Sequence, residues 1–340
     1  MEKQIRWGFL GCGNVVRKKS GEAFRAVPHS TIAAIMRRDP EGAREAAAFF
    51  GAETACSTVE DLLAADIDAV YIATPPGLHY DQAMACLAAG KPVYLEKPFA
   101  RNYTEAKALT DAFEKAGIPL YVGHYRRALP RFLKIRQLLS SGVIGQVQAV
   151  EFHLNRIFNP KEATEKWLYN PVLSGGGKFY DISPHTVDIF QFLFGEITDV
   201  SGKAENRGLD CPLADLVSLE VVTERNVRGK LTFDCAAKEK SDRMVVTGSD
   251  GTMEFSVHGK MDVAIRDGQG NLLEAFEIRD PVTVEQPMVE SVVEDLLGLS
   301  RCEIHARDVV STYAVIDKVL DPFYGGRQDD FWNHPERYGK

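Results

Sequence analysis

Nothing in this 340-residue chain approaches the roughly twenty consecutive apolar residues needed to cross a bilayer. Its six cysteines, Cys12, Cys56, Cys86, Cys211, Cys235 and Cys302, stand singly, without a C-x-x-C pair. That spacing argues against a zinc site or a disulfide framework and predicts a reducing compartment, the cytoplasm. A basic excess is also missing. Forty-eight acids against 40 bases leave a net charge of −8, the wrong sign for the footprint of a nucleic-acid binder. The densest basic run, Arg126, Arg127, Arg131, Lys134 and Arg136, follows a helical pattern and reads as a solvated face. There is no internal repeat, low-complexity linker or long charge run. The opening "MEKQIRWGFLGCGN" enters a strand within five residues, leaving no room for a signal peptide. What remains is an ordinary globular composition, 45% hydrophobic and 26% charged, with length enough for two domains that need no metal or disulfide to hold a core.

The first 125 residues alternate strand and helix signals. Ile5 to Leu10 is an apolar run ending in glycines, Thr31 to Met36 a second, and "DPEGAREAAAFF" a helix. Ser57 with Glu60 reads as a capping box opening the next helix. Ala69 to Ala73 is a buried strand, "YDQAMACLAAG" a helix closed by Gly90, and "PVYLE" a strand. Asn102 with Glu105 caps the helix through Lys115, and "IPLYVG" is the last strand. Short apolar strands alternating with helices predict a doubly wound parallel α/β domain over 1–125. From Gln146 the strands lengthen and become half-polar, with turns such as "SDGT" and "DGQGN" between them. Consecutive strands joined by turns predict an open, mostly antiparallel sheet in an α+β domain over 126–340. Helices at about 180 to 194 and 284 to 320 are expected to cover one face of it.

"GFLGCGNVV" places Gly8, Gly11 and Gly13 at the end of the first strand, followed by Asn14 and Val15. A tight strand-to-helix turn needs glycine, and the free amides of the helix N-terminus suit a dinucleotide pyrophosphate. The third glycine of the usual fingerprint is Val16 here. At the end of the second strand, where an acid would bind an adenosine ribose, the chain reads "AIMRRDP". Arg37 and Arg38 would grip a 2'-phosphate that a carboxylate would repel, favouring NADP(H) over NAD(H). Two solvent-exposed arginines at a strand end is the competing reading. Asp39 is expected to start the next helix.

Two further strand ends carry unusual sequence, "IATPPGLHY" with Thr74, Pro75 and His79, and "YLEKPFA" with Glu96, Lys97 and Pro98. Ligands of open α/β sheets bind outside the carboxyl ends of the strands. A lysine there can donate a hydrogen bond or a proton to a substrate oxygen, and His79 reads as pinning the following helix. "GFLGCGN", "ATPPGLHY" and "GKPVYLEKPFARN", in this order, resemble the glucose–fructose oxidoreductase / inositol dehydrogenase / rhizopine catabolism (Gfo/Idh/MocA) family. The resemblance continues through "YVGHYRR", "SGVIGQV" and "SGGGKFYDISPHTVD", over nearly the whole chain. It implies a Rossmann domain followed by an open-sheet domain that mediates homodimers or homotetramers, and it makes Lys97 a catalytic, substrate-contacting residue beside the cofactor.

In "GGGKFYDISPHTVD", Asp181 and His185 lie four residues apart on one helix face. Pro184 is expected within the first turn, which would put the pair at the helix entry. Taken alone, such a pair reads as a helix-start ion pair. The resemblance makes it instead, with Lys97, the proton-handling set of a hydride transfer. His185 would accept the hydroxyl proton, Asp181 would orient it, and Lys97 would stabilise the oxygen. Substrate-side candidates are His124 and Tyr125, after the sixth strand, and Trp167, which suits a sugar face or plain core packing equally. The implied activity is NAD(P)-dependent oxidation or reduction of a sugar, polyol or related small molecule. A cofactor-binding regulator and a reductase of non-sugar carbonyls or dihydrodiols remain open on the same fold.

Overall fold

The computed structural model describes residues 3–157, 166–207, 213–259 and 262–327. They divide into two compact units, one built from Met1–Leu129 with Pro281–Val310, the other from Pro130–Asp280 with Ser311–Lys340.

In the first unit, strands β1 (Ile5–Leu10), β2 (Ser30–Met36), β3 (Thr54–Cys56), β4 (Ala69–Ile72), β5 (Val93–Leu95) and β6 (Leu120–Val122) alternate with helices. The helices are α1 (Gly21–Ala26), α2 (Pro40–Phe50), α3 (Val59–Ala64), α4 (His79–Ala88) and α5 (Tyr103–Ala116). All strand pairs are parallel, in the order β3-β2-β1-β4-β5-β6. The sheet grows outward in both directions from β1 and β4, so the switch point lies at their carboxyl ends. Buried on both faces, β4, β5 and β6 read as continuous apolar runs, as central parallel strands must. Under α1, Trp7, Phe9, Phe24, Tyr71 and Tyr94 pack as one aromatic cluster with ring centroids 4.6–5.9 Å apart. Such pairs add about 0.5–1.5 kcal/mol each beyond area burial.

Several local expectations need adjusting. Helix α3 is capped by Thr58, whose hydroxyl accepts from the Asp61 amide at 3.1 Å, so the cap lies one residue beyond Ser57. Asn102 caps α5 by accepting from the Glu105 amide, while the Glu105 carboxylate turns back to the Arg101 amide. Helix α9 (Gln286–Leu296), expected on the second domain's sheet, packs in the first unit against α1 and the turn at Tyr125–Ala128. The basic run is a solvated face only in part, with Lys134 exposed but Arg126, Arg127 and Arg131 buried. Arg127 donates to the carbonyls of Glu303 and Asp308, both at 3.2 Å, and Arg131 donates to Gly259 O at 2.7 Å, so both guanidinium groups are buried.

The second unit opens with α6 (Pro130–Ser140), and its sheet holds β7 (Val147–Ile157), the short helix α7 (Pro171–Ser174) and α8 (Gly177–Phe194) preceding β8 (Ile197–Glu205). There follow β9 (Leu216–Thr223), β10 (Arg228–Ala237), β11 (Ser241–Gly248), β12 (Gly251–Phe255), β13 (Val263–Asp267) and β14 (Leu272–Phe276). The strand order is β14-β13-β12-β11-β7-β10-β9-β8, antiparallel except for β7 beside β10. Burial alternates along β7, β9 and β10, and the buried face carries α8 and α11 (Ser311–Tyr324). Among the described residues, α10 (Ala306–Val309) completes the first unit.

Candidate active site

The first unit supplies the turns after β1, β2, β4, β5 and β6, at the carboxyl edge of its sheet. After β1, Gly11 adopts φ +87°, and a Cβ there would stand 3.0 Å from both the Ala73 carbonyl and Thr74 Cγ2. Glycine is therefore required by close approach as well as by conformation. Nothing lies within 4 Å of a Cβ built on Gly13, and Gly13, Asn14 and Val15 are exposed, so the first turn of the helix is open to solvent. This cradle fits the pyrophosphate of a dinucleotide. Gly8 plays another part. It lies inside β1, where a Cβ would meet Ile67 Cδ1 at 2.6 Å, and so serves packing under α3. Val16 is fully buried, and the helix widens there into a π-turn over Val16–Ser20.

Beyond β2, Arg37 lays its guanidinium against Gly42 and Arg38 is exposed. Among the described residues neither side chain enters a hydrogen bond or ion pair. Asp39 caps α2, accepting from the amides of Glu41 at 3.3 Å and Gly42 at 2.9 Å, so its carboxylate is committed to the helix.

After β4, Thr74 donates to Gln82 Oε1 at 2.6 Å, and Pro75 continues extended into the turn Pro76–Leu78. His79 is fully buried and bridges two turns, with Nε2 2.8 Å from Thr74 O and Nδ1 2.9 Å from Pro98 O. Burial pushes its imidazole below the usual range, against the pull of these carbonyls. It pins the α4 entry to the turn after β5.

That turn carries Glu96, Lys97 and Pro98, with a cis Lys97–Pro98 peptide. Both carboxylate oxygens of Glu96 are held. Oε1 accepts from the Tyr71 hydroxyl at 2.6 Å and Oε2 from the Lys97 amide at 3.2 Å. Gly123, after β6, leaves room for this carboxylate, since a Cβ there would approach Oε2 to 3.3 Å. Lys97 itself is half-buried. His124 and Tyr125 are both buried, and the Lys19 ammonium lies 4.1 Å from the Tyr125 ring centre.

Two polar residues that the sequence pattern did not single out complete this region. Lys19, in the π-turn, pairs with Glu285 Oε1 at 2.8 Å, and the Glu285 side chain is 1% exposed. Burial, followed by repulsion from Glu96, pushes the Glu285 carboxyl up to about 7 against the attraction of Lys19 and Lys97. Burial opposes the Lys19 ammonium as well, but Glu285, Tyr125 and Glu96 outweigh it and raise its affinity for the proton.

In the second unit, Asp181 and His185, predicted for the site, sit on α8. Its start is shaped by Gly175 and Gly177, both with positive φ, and by Ser174, whose hydroxyl accepts from the Gly177 amide at 3.0 Å. Asp181 and His185 lie one turn apart on one face, half-buried and buried respectively. They are not at the helix entry. Helix α8 begins at Gly177, which places Pro184 in its interior, where it removes the amide that would bond the Tyr180 carbonyl. Lys178 pairs with Asp181 at 3.4 Å. The ring of His258 approaches His185 edge-on at 6.0 Å and bonds Thr186 Oγ1 through Nε2 at 2.9 Å. The Asp242 carboxylate anchors that loop by accepting the His258 amide at 2.7 Å. No spacing signal marked His258. Trp167 is half-buried in the turn Lys166–Tyr169.

Among the described residues, no helix is long and apolar enough to cross a membrane. Comparison with known proteins adds the family. Residues 5–124 match a model described as an oxidoreductase family with an NAD-binding Rossmann fold, and residues 132–254 match the GFO/IDH/MocA C-terminal domain. An oxidoreductase designated P35 from Formosa agariphila is 35% identical over 329 residues, covering 96% of this chain and 100% of that one. Levoglucosan dehydrogenase from Pseudarthrobacter phenanthrenivorans is 28% identical over 298 residues, covering 83% and 76%. The solved aldose–aldose oxidoreductase of Caulobacter crescentus, complexed with glycerol, superposes with a TM-score of 0.84 at 21% identity, covering 96% and 99%, which speaks for the fold alone. The glycine cradle at the switch point and the E-K-P turn thus stand in a chain that belongs to the Gfo/Idh/MocA family of NAD(P)-dependent oxidoreductases.

Proposed function

We propose that this protein oxidises or reduces a carbinol/carbonyl carbon of a sugar, polyol or related hydroxylated small molecule, with Lys97, Asp181 and His185 handling the proton. The observation that carries the reading is the E-K-P turn. Its glutamate is held at both oxygens, and its half-buried lysine stands at the carboxyl edge of the sheet that carries the glycine cradle. When bound, the nicotinamide cofactor supplies the hydride exchange. The turn at Gly13, Asn14 and Val15 would hold its pyrophosphate, and Thr74, Pro75 and Glu96 would shape the neighbouring turns. Lys97 donates to the substrate oxygen and stabilises the charge that develops on it. His185 takes or returns the hydroxyl proton, and Asp181, one helical turn away, favours the protonated ring. Trp167 offers a ring to a sugar face, and His124 and Tyr125, buried after β6, are the further substrate-side candidates. A named relative that acts on a sugar-derived substrate, levoglucosan dehydrogenase, supports this substrate class.

We further infer a preference for NADP(H), because among the described residues Arg37 and Arg38 have no side-chain partner and Asp39 is spent on its helix. The open face of the eight-stranded sheet supports self-association as a dimer or tetramer. The five described cysteines are all free thiols, which supports a reducing, cytoplasmic setting.

The test is a nicotinamide absorbance assay crossing NAD and NADP with sugars, inositols and sugar acids, and the reduced cofactors with keto-sugars. Lys97→Met and His185→Ala are expected to lose about 10²–10⁴-fold in turnover, the usual worth of positioned acid–base groups, while still binding dinucleotide. Unchanged turnover in either would overturn the assignment. Tight dinucleotide binding with no turnover anywhere in the panel would point instead to a sensor.

A further inference from the structure

His258 lies against the histidine proposed to carry the proton, and its backbone is held more firmly than a strand connection requires. It stands in the segment 256–259, directly after β12. An ordinary link between antiparallel strands needs only suitable turn residues. This one is clamped by two charged side chains. The Asp242 carboxylate, on β11, accepts the amides of Val257 at 3.1 Å, His258 at 2.7 Å and Gly259. The Arg131 guanidinium, on α6 and 3% exposed, donates to the Ser256 hydroxyl at 3.3 Å and to the Gly259 carbonyl at 2.7 Å. Hydrogen bonds in which one partner is charged are the stronger kind, and these fix the chain on both sides of His258.

The ring is fixed as well. Its Nε2 bonds Thr186 Oγ1 at 2.9 Å, and Thr186, fully buried on α8, directly follows His185 in the chain. Phe152, on β7, packs against the same ring with centroids 6.4 Å apart. So placed, the His258 ring meets the His185 ring edge-on, at 6.0 Å between centroids and 69° between planes. This is the geometry of an edge-to-face aromatic pair. His185 needs such a neighbour. The χ2 well of a histidine is broad and roughly two-fold, so its own torsions do not decide where its nitrogens point. A proton-carrying group must be held within about 0.5 Å and 10–20° of its working geometry, by neighbours whose own rotamers are locked. Thr186, Asp242 and Arg131 lock His258 in this way.

We propose that His258 is a positioning residue for His185, a clamped ring that sets how the His185 imidazole presents its nitrogens to the substrate. The proposal rests on the proton-carrying reading of His185, and the two fail differently. In the full-length protein, His258→Ala and the isosteric Thr186→Val should each lower kcat, by up to about a hundredfold for a misplaced group, with KM and dinucleotide affinity nearly unchanged. A double-mutant cycle with His185→Ala decides what that loss means. A residue that acts through His185 has nothing left to position once the imidazole is gone. Adding His258→Ala to His185→Ala should therefore cost no further turnover. The same fold-loss in both backgrounds, or no loss from His258→Ala and Thr186→Val, would overturn the proposal. If His258→Ala does not fold, Thr186→Val takes its place in the cycle and is read the same way. A second readout needs no turnover. In protein labelled with ¹³C at histidine Cε1, the His185 signal is assigned by its absence in His185→Ala. Its order parameter should fall in His258→Ala as the ring is released, and an unchanged value would overturn the proposal. Turnover retained in His185→Ala would instead defeat the proton-carrying reading, while the order parameter would still report whether His258 holds the ring.

Discussion

Arg37 and Arg38 make the cofactor preference a question that two side chains can answer. A 2'-phosphate offers them charge-assisted hydrogen bonds worth about 1.5–3 kcal/mol, which corresponds to roughly a tenfold to hundredfold change in affinity. Replacing both with serine should weaken NADP by that factor and leave NAD nearly unaffected, as measured by fluorescence titration of each reduced dinucleotide. An equal loss for both would place the arginines outside the adenosine site. At this scale the sequence was informative where backbone geometry dictates residue type. Gly11 could be anticipated because its positive φ and its approach to Ala73 admit no side chain. Gly8 belongs to the same pattern for a different reason, packing against Ile67, and a pattern of glycines cannot separate the two.

The caps illustrate what the sequence holds at the level of elements. Ser57 and Thr58 are adjacent hydroxyls before α3, and both suit an N-cap, but the hydrogen bond to the Asp61 amide selects Thr58. Thr58→Ala should cost about 1 kcal/mol of stability and Ser57→Ala far less, a contrast that thermal or urea unfolding resolves. Equal costs would mean that the bond from Thr58 is not what starts the helix. The central strands were legible because parallel strands buried on both faces must be apolar throughout. Strands β8 and β14 were not, and the reason is physical. They form the two edges of the eight-stranded sheet, exposed over most of their length, so no alternation marks them. Helix α8 carries Pro184 in its interior, flanked by the buried Phe179, Tyr180, Ile182, Val187, Ile189 and Phe190 that pack the helix on both sides of it.

At the scale of the whole chain, the order of elements gave the two fold classes, but the return of Pro281–Val310 to the first unit could not be read from it. Helix α9 is amphipathic and would suit either unit. It buries Met288, Val289, Val292 and Val293 in the first unit, where Glu285 also meets Lys19, a contact between residues that no local pattern relates. This contact ties the stability of the molecule to pH. Burial and the nearby Glu96 push the Glu285 carboxyl in the fold up to about 7, from the ordinary 4.5. A group that binds its proton more tightly when folded contributes stability that is complete below its unfolded value and lost as pH rises through its folded one. Glu285 therefore favours the fold in full at pH 4.5 and below and gives up that contribution, at most about 3 kcal/mol, progressively as pH rises from 4.5 through 7. Glu285→Gln has no proton to lose. Its melting temperature should fall less than that of the unchanged protein between pH 5 and pH 8 in the same buffers. Parallel pH curves for the two proteins would mean that Glu285 is ionised throughout, its charge fully met by Lys19.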